Sequence, residues 1–283
     1  YFVPGIVISV LALGGIVLTA SMVPVALFML VWLSGWSAGV YTLVAKVIEE
    51  SGVEKRGGRH LFRHTAATLM LEGGADIIEL GVPFSDPMAD GMTIQRSSFA
   101  ALQKGVSLGW IFDQLDSASG EIDAPLVMMS YLNPLLAFGY EALAERARNA
   151  GVCGFIVPDL PFEESADIRG ALEAQGLGLI QLVTPATPDA RLKTLCDASR
   201  GFVYAVTITG ITGGDVALPA DLADYLDKVA AVSALPVCAG FGIRAARDVA
   251  NVGRHAAGAI VGSALVEVLE RGDDPQPFLA SLV

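Results

Sequence analysis

The sequence predicts an α/β fold, a (β/α)8 TIM barrel whose first strand is atypical or missing, preceded by a hydrophobic helical N-terminal segment. Three observations predict it. From Asp76 onward, short β-rich runs alternate with amphipathic stretches, the pattern of parallel βα units. The β-rich runs number seven, one short of the eight that close a parallel barrel. Ahead of them, residues 1–45 carry no charged side chain.

The seven runs are Ile77–Leu80, Pro125–Ser130, Gly154–Val157, Leu179–Val183, Gly201–Thr207, Pro236–Ala239 and Gly258–Val261. Between and after them lie helical patterns at Thr93–Gln103, Leu108–Ala118, Tyr140–Asn149, Glu164–Ala174, Asp189–Ala198, Pro219–Val232, Ala245–Val252 and Ala264–Glu270. Closing the barrel requires every strand to pair on both sides, and an open barrel would leave edges that recruit other chains. A segment of the leader could supply the missing strand; otherwise the barrel stays open and aggregates. Phe2–Val10 and Tyr41–Val47 are the leader's most strand-like segments.

The leader also passes the length test for membrane insertion. A spanning helix takes about 20 apolar residues, so the run could hold two, with a break at Ser21–Pro24. Lys46, Lys55, Arg56, Arg59 and Arg63 follow and would hold the remainder on the cytoplasmic side. The positively charged start of a signal peptide is missing. The expected organisation is a hydrophobic segment over residues 1–50, in contact with the membrane through residues 1–45, and a catalytic domain over residues 51–283.

Composition narrows the function classes. A net charge of −12 and a pI near 4.6 argue against a nucleic-acid surface. Three scattered cysteines, Cys153, Cys196 and Cys238, suit reduced thiols in the cytoplasm better than a disulfide frame or a metal site. With three histidines in all, two of them in one basic stretch, histidine-based catalysis is not expected.

Chemistry concentrates between Asp76 and Gly91. Glu79 sits inside a short apolar strand, where an acid is costly unless used or paired. Gly81, Pro83, Pro87 and Gly91 then impose a rigid loop carrying Asp86 and Asp90 back over the strand end. A carboxylate at a strand's C-terminal end, facing a second on the next loop, is an acid/base arrangement. Asp86, next to Pro87, reads as a turn residue, and Glu79 and Asp90 as the pair. Phosphate is the second theme. Gly240-Phe241-Gly242 follows one late strand, and Gly262-Ser263 follows the last and opens a helix. Backbone N–H groups at such loops cradle anions. Gly213, in the glycine-rich run before Pro219, could add a donor from a mobile loop. Phe241, Ile94, Tyr131 and Leu160 are candidates for an apolar slot.

The stretch from Glu79 to Gly91, Glu-Leu-Gly-Val-Pro-Phe-Ser-Asp-Pro-Met-Ala-Asp-Gly, resembles the signature of the tryptophan synthase alpha subunit, and the likeness runs from about Leu69 to Val283. The resemblance implies retro-aldol cleavage of indole-3-glycerol phosphate to indole and glyceraldehyde 3-phosphate, without cofactor or metal. It makes Glu79 the proton-transfer residue and Asp90 the acceptor for the indole N–H, and puts Tyr204 beside the substrate. It implies a beta-subunit partner in an alpha2-beta2 complex, met through the loops at Tyr131–Gly139 and Pro158–Glu164. The alternative is an impaired barrel that binds phosphate and the beta subunit without turnover.

Two departures stand out. Met92 occupies a position where that family usually has proline, and no Gly-Asp-Pro turn marks a first strand between Tyr1 and Arg63. Within residues 51–76, His60-Leu61-Phe62-Arg63-His64 resembles the His-x-x-Arg box of tyrosine recombinases. A recombinase would need a tyrosine and an arginine-bearing domain that the chain does not supply. The same stretch also reads as a basic, partly amphipathic helix from His60 to Glu72, ended by Gly73-Gly74.

Overall fold

The computed structural model describes residues 5–11, 75–117, 124–207, 219–271 and 273–282. In chain order these hold β1 Gly5–Leu11, β2 Ile77–Gly81, α1 Met92–Gln103, α2 Leu108–Ser117, β3 Leu126–Met129, α3 Leu132–Phe138, α4 Tyr140–Asn149 and β4 Val152–Ile156. There follow a 3-10 turn at Phe162–Glu164, α5 Ala166–Ala174, β5 Gly178–Val183, α6 Asp189–Ala198, β6 Val203–Val206 and α7 Leu222–Val232. The chain ends with β7 Val237–Gly240, α8 Ala246–Val252, β8 Gly258–Val261, α9 Ser263–Glu270 and α10 Pro275–Ala280.

The strands close a parallel barrel in the order β1 to β8. β1 fills the gap that the sequence leaves open. It pairs with β2 in the register Val7↔Ile77 to Leu11↔Gly81, and with β8 from Gly5↔Gly258 to Ile8↔Val261. Of the two strand-like segments of the leader, the first is the one used. The hydropathy pattern predicts helix there. The Ile-Val-Ile-Ser-Val sequence is rich in β-branched side chains, and pairing on both sides satisfies its backbone. The remainder of the expected membrane segment, Tyr41–Val47 included, and the His60–Glu72 stretch lie outside the described residues. Among the described residues no helix is long and apolar enough to cross a membrane.

Alternation along the strands creates two cores. Val127, Ile156, Ile180, Phe202, Tyr204, Cys238 and Ile260 fill the lumen. Their neighbours in sequence, such as Ile78, Leu80, Met128, Phe155, Val203 and Val261, face outward and meet the helices. The helices present matching stripes: Ile111, Phe112 and Leu115 on α2, Leu143 and Ala147 on α4, Leu265 and Leu269 on α9. Two helices are not among the patterns read from the sequence: α3 lies in the Tyr131–Gly139 stretch expected as loop, and α10 follows the last predicted helix. Both are short and contain proline, which hides the helical period.

Candidate active site

Glu79 shares the lumen-facing parity of Ile77 on β2 and is fully buried. Tyr204 rises from β6 on the far side of the lumen, 3% exposed. Burial, and then the charge of Glu79, lifts its phenol well above the usual range, so the two side chains sense each other across the lumen. Tyr204 needs Gly240 on the neighbouring strand. A Cβ at that glycine would come within 2.3 Å of the Tyr204 hydroxyl, so only glycine leaves room for the ring.

The loop after β2 brings Asp90 to the C-terminal rim. It is pinned at several points. The Phe84 N–H donates to Ser98 Oγ on α1 at 2.9 Å, and that hydroxyl donates back to the Phe84 carbonyl at 3.1 Å. The Ala89 N–H donates to the Tyr131 hydroxyl at 2.9 Å, and Gln95 Nε2 donates to the Asp90 carbonyl at 2.8 Å. Burial pushes the Asp90 carboxyl up to about 6, against the downward pull of a hydrogen bond from Tyr131. Asp86 is exposed and accepts from Ser85 Oγ at 2.5 Å, the local turn role that its sequence suggests. Met92 begins α1 with its side chain largely in solvent.

On the other side of the rim, the loop after β7 carries Phe241 at φ 75° and Gly242 at φ 79°. Left-handed backbone is ordinary for glycine and costly for phenylalanine. Thr207, at the end of β6, holds it there. Its backbone N–H donates to the Gly240 carbonyl at 2.9 Å, and its hydroxyl shares its one proton between the Gly240 carbonyl, also at 2.9 Å, and the Phe241 carbonyl. The Phe241 ring lies 5.6 Å from that of Tyr204. Gly262 and Ser263 form the cap and first residue of α9, whose first-turn N–H groups sit beside this loop's strand neighbour β8. Gly213 lies outside the described residues. Arg244, from the loop after β7, pairs with Glu267 on α9, which also accepts from Thr93 at the start of α1. The acid loop and the glycine loops are thus linked through one helix.

Glu79, Asp90, Tyr204, Gly240, Phe241, Gly242, Gly262 and Ser263 therefore all gather at the C-terminal end of the barrel or in the lumen just below it. Of the apolar candidates, Phe241 packs with the lumen residues, while Ile94 and Leu160 belong to the layer between sheet and helices. Ser98 and Thr207, which hold the two loops, carry no sequence signal, because a lone serine on a helix or threonine at a strand end has many ordinary roles. Among the described residues no group of histidine, cysteine and acidic side chains could hold a metal ion. A cavity of about 850 Å³ opens at the opposite, N-terminal end, between residues such as Val127, Ile180, Phe202 and Cys238. None of the site residues named above lines it. Barrel chemistry belongs to the C-terminal end.

Comparison with known proteins places this geometry. The family model described as tryptophan synthase alpha chain matches residues 60–281. The match takes in the His60-Leu61-Phe62-Arg63 stretch, so the likeness extends further toward the N-terminus than Leu69. A tryptophan synthase alpha chain from Bacillus cereus is 47% identical over 199 residues, spanning 70% of this chain and 77% of the relative. One from Carboxydothermus hydrogenoformans is 45% identical over 197 residues, 70% of this chain and 74% of the relative. Among solved structures, Mycobacterium tuberculosis tryptophan synthase superposes with a TM-score of 0.69 at 38% identity, over 76% of this chain and 83% of that one. A chain from the Pyrococcus furiosus tryptophan synthase a2b2 complex gives 0.70 at 32%, over 78% and 92%. The chain belongs to the tryptophan synthase alpha chain family.

Proposed function

We propose that the chain is a carbon–carbon lyase that splits indole-3-glycerol phosphate into indole and glyceraldehyde 3-phosphate. The observation that carries this reading is the presence of two carboxylates in unlike settings at one end of the barrel, Glu79 fully buried in the lumen and Asp90 on the rim loop. The reaction needs a proton delivered to the indole ring carbon that bears the side chain. It needs a proton removed from the hydroxyl on the adjacent carbon. The bond between the two carbons then breaks, its electrons restore the aromatic ring, and the alkoxide carbon becomes the aldehyde. In our reading Glu79 moves these protons, and Asp90, ionised, accepts a hydrogen bond from the indole N–H as it becomes acidic. Tyr204 and Phe241 flank the ring. Backbone N–H groups at Gly240, Phe241, Gly242 and Gly262, with Ser263 and Gly213, take the phosphate.

We further place a beta-type subunit on the rim formed by the loops after β3 and β4. Support comes from the tryptophan synthase complex among the structural neighbours, and from Met88 and Leu136, apolar and 79% and 57% exposed at that end. Asp159 Oδ1 accepts the Leu132 N–H at 2.9 Å and ties the two loops into one surface. The three cysteines are free thiols, which suits a cytoplasmic setting. The test is a steady-state assay of indole released from indole-3-glycerol phosphate by the full chain, with and without a family beta subunit. Indole release is expected. Binding of glycerol phosphates without release under either condition would reduce the protein to a binding partner.

A further inference from the structure

Tyr131 caps the start of α3, at the C-terminal end of β3, and is 5% exposed. Its ring rests against Phe84 at 5.4 Å. Its hydroxyl meets the acid loop twice. It accepts the Ala89 N–H at 2.9 Å, one residue from Asp90, whose carboxyl it pulls downward against burial. A phenol has one proton to donate. The Ala89 bond uses the oxygen as acceptor, so that proton points to the carboxylate. We propose that Tyr131 is a positioning residue for Asp90, its hydroxyl clamped by the Ala89 N–H next door and donating its single proton to the carboxylate, which is thereby fixed in place. The inference rests on the reading of Asp90 as the group that meets the indole N–H.

The surroundings isolate this contact. On Asp90, burial pushes upward and Tyr131 pulls downward. From β6, Tyr204 feels the charge of the same carboxylate. From the loop after β4, Asp159 acts on Tyr131. Glu79 acts on Tyr204 as well. Removing the Tyr131 proton leaves burial unopposed, so Asp90 must become harder to ionise. A hydrogen bond to a charged group corresponds to about one pH unit or slightly more.

The experiment follows the Asp90 carboxyl by carbon NMR titration in the full chain and in Tyr131→Phe, beside the pH profile of kcat/KM for indole release. In Tyr131→Phe the carboxyl should titrate about one pH unit higher, and the acid limb of kcat/KM should move up with it. Rate lost near neutral pH should return in alkaline solution. A role in packing alone would lower the rate equally at every pH and leave the limb in place. If Tyr131→Phe does not fold, difluorotyrosine at position 131 keeps both hydrogen bonds with a more acidic phenol, and the Asp90 titration should move down. An unchanged Asp90 titration in either variant overturns the proposal. A shifted titration in a chain that releases no indole at any pH upholds the Tyr131–Asp90 pairing and removes the proposed reaction instead.

Discussion

The two sides of the candidate site are built from different materials. On the β2 side the chemistry sits in side chains: a carboxylate inside a strand, a second on a loop, and a tyrosine hydroxyl between loop and rim. On the β7 and β8 side it sits in the backbone, shaped by Gly240, Gly242, Gly262 and a left-handed Phe241. Substitution therefore acts on them differently. On the first side a change of one functional group can remove chemistry while leaving the shape. On the second, a single methyl group changes the shape and leaves every functional group in place. β1 stands between the two, pairing Ser9 with Glu79 on one edge and Ile8 with Val261, next to Gly262, on the other.

The largest effect should come from removing that connection. A chain lacking residues 1–11 would leave β2 and β8 with open edges, and both sides of the site should fail together. Loss of the cooperative unfolding transition, with self-association in gel filtration, is the expected result. A truncated chain that remains monomeric and binds glycerol phosphate would show that β1 does not join the two sides.

Asp90 gives the next effect. Its carboxyl is raised to about 6 in the fold, so the folded chain holds the proton more tightly than the unfolded one. This group therefore costs no stability below the ordinary carboxylate range, and its full cost is present once pH has risen through about 6. At neutral pH the cost is at most about 3 kcal/mol, since a tenfold change in proton affinity corresponds to about 1.4 kcal/mol. Asp90→Asn should unfold at a higher temperature than the natural chain at pH 7.5, with the gap closing toward pH 4, while indole release is lost. An unchanged gap across that range would show that Asp90 is not held in a desolvated site.

Gly240→Ala probes the backbone side. The added methyl must displace the Tyr204 ring, and overpacking of that kind costs about 1–3 kcal/mol. Denaturant unfolding should show that loss, accompanied by weaker glycerol phosphate binding. The smallest effect concerns Phe241. At φ 75° an alanine retains the backbone strain and a glycine sheds it. Phe241→Gly should be more stable than Phe241→Ala by about 1 kcal/mol, the reverse of the order found in ordinary backbone. Equal stabilities would mean that the loop relaxes out of the left-handed region.

The same contrast governs how much of the molecule is legible in its sequence. The seven strands from Ile77 to Val261 are legible because each is a short apolar run fenced by glycine, proline or a charged helix. Glu79 and Asp90 are legible because an acid among apolar residues, or on a loop stiffened by prolines, is an anomaly that calls for a reason. The glycine loops are legible as glycine pairs after strands. β1 is harder. Gly5–Leu11 lies inside a long uncharged run, where hydropathy reports length and hides period, and only the demand for an eighth strand singles out its neighbourhood. The clamps are not legible. Tyr131 looks like one more apolar ring, and Ser98 and Thr207 like ordinary polar residues, because their roles depend on which loop arrives opposite them.

The most direct test separates the two sides in one protein. Glu79→Gln preserves the shape of the buried side chain and leaves the glycine loops untouched. Indole release from indole-3-glycerol phosphate should fall by at least the roughly hundredfold typical of losing a general acid/base. The dissociation constant for glycerol 3-phosphate, measured on the same preparation, should not change. A variant that keeps most of its rate, or one whose phosphate binding falls in step with its rate, would contradict the assignment of proton transfer to Glu79 and the separation of the site into a side-chain half and a backbone half.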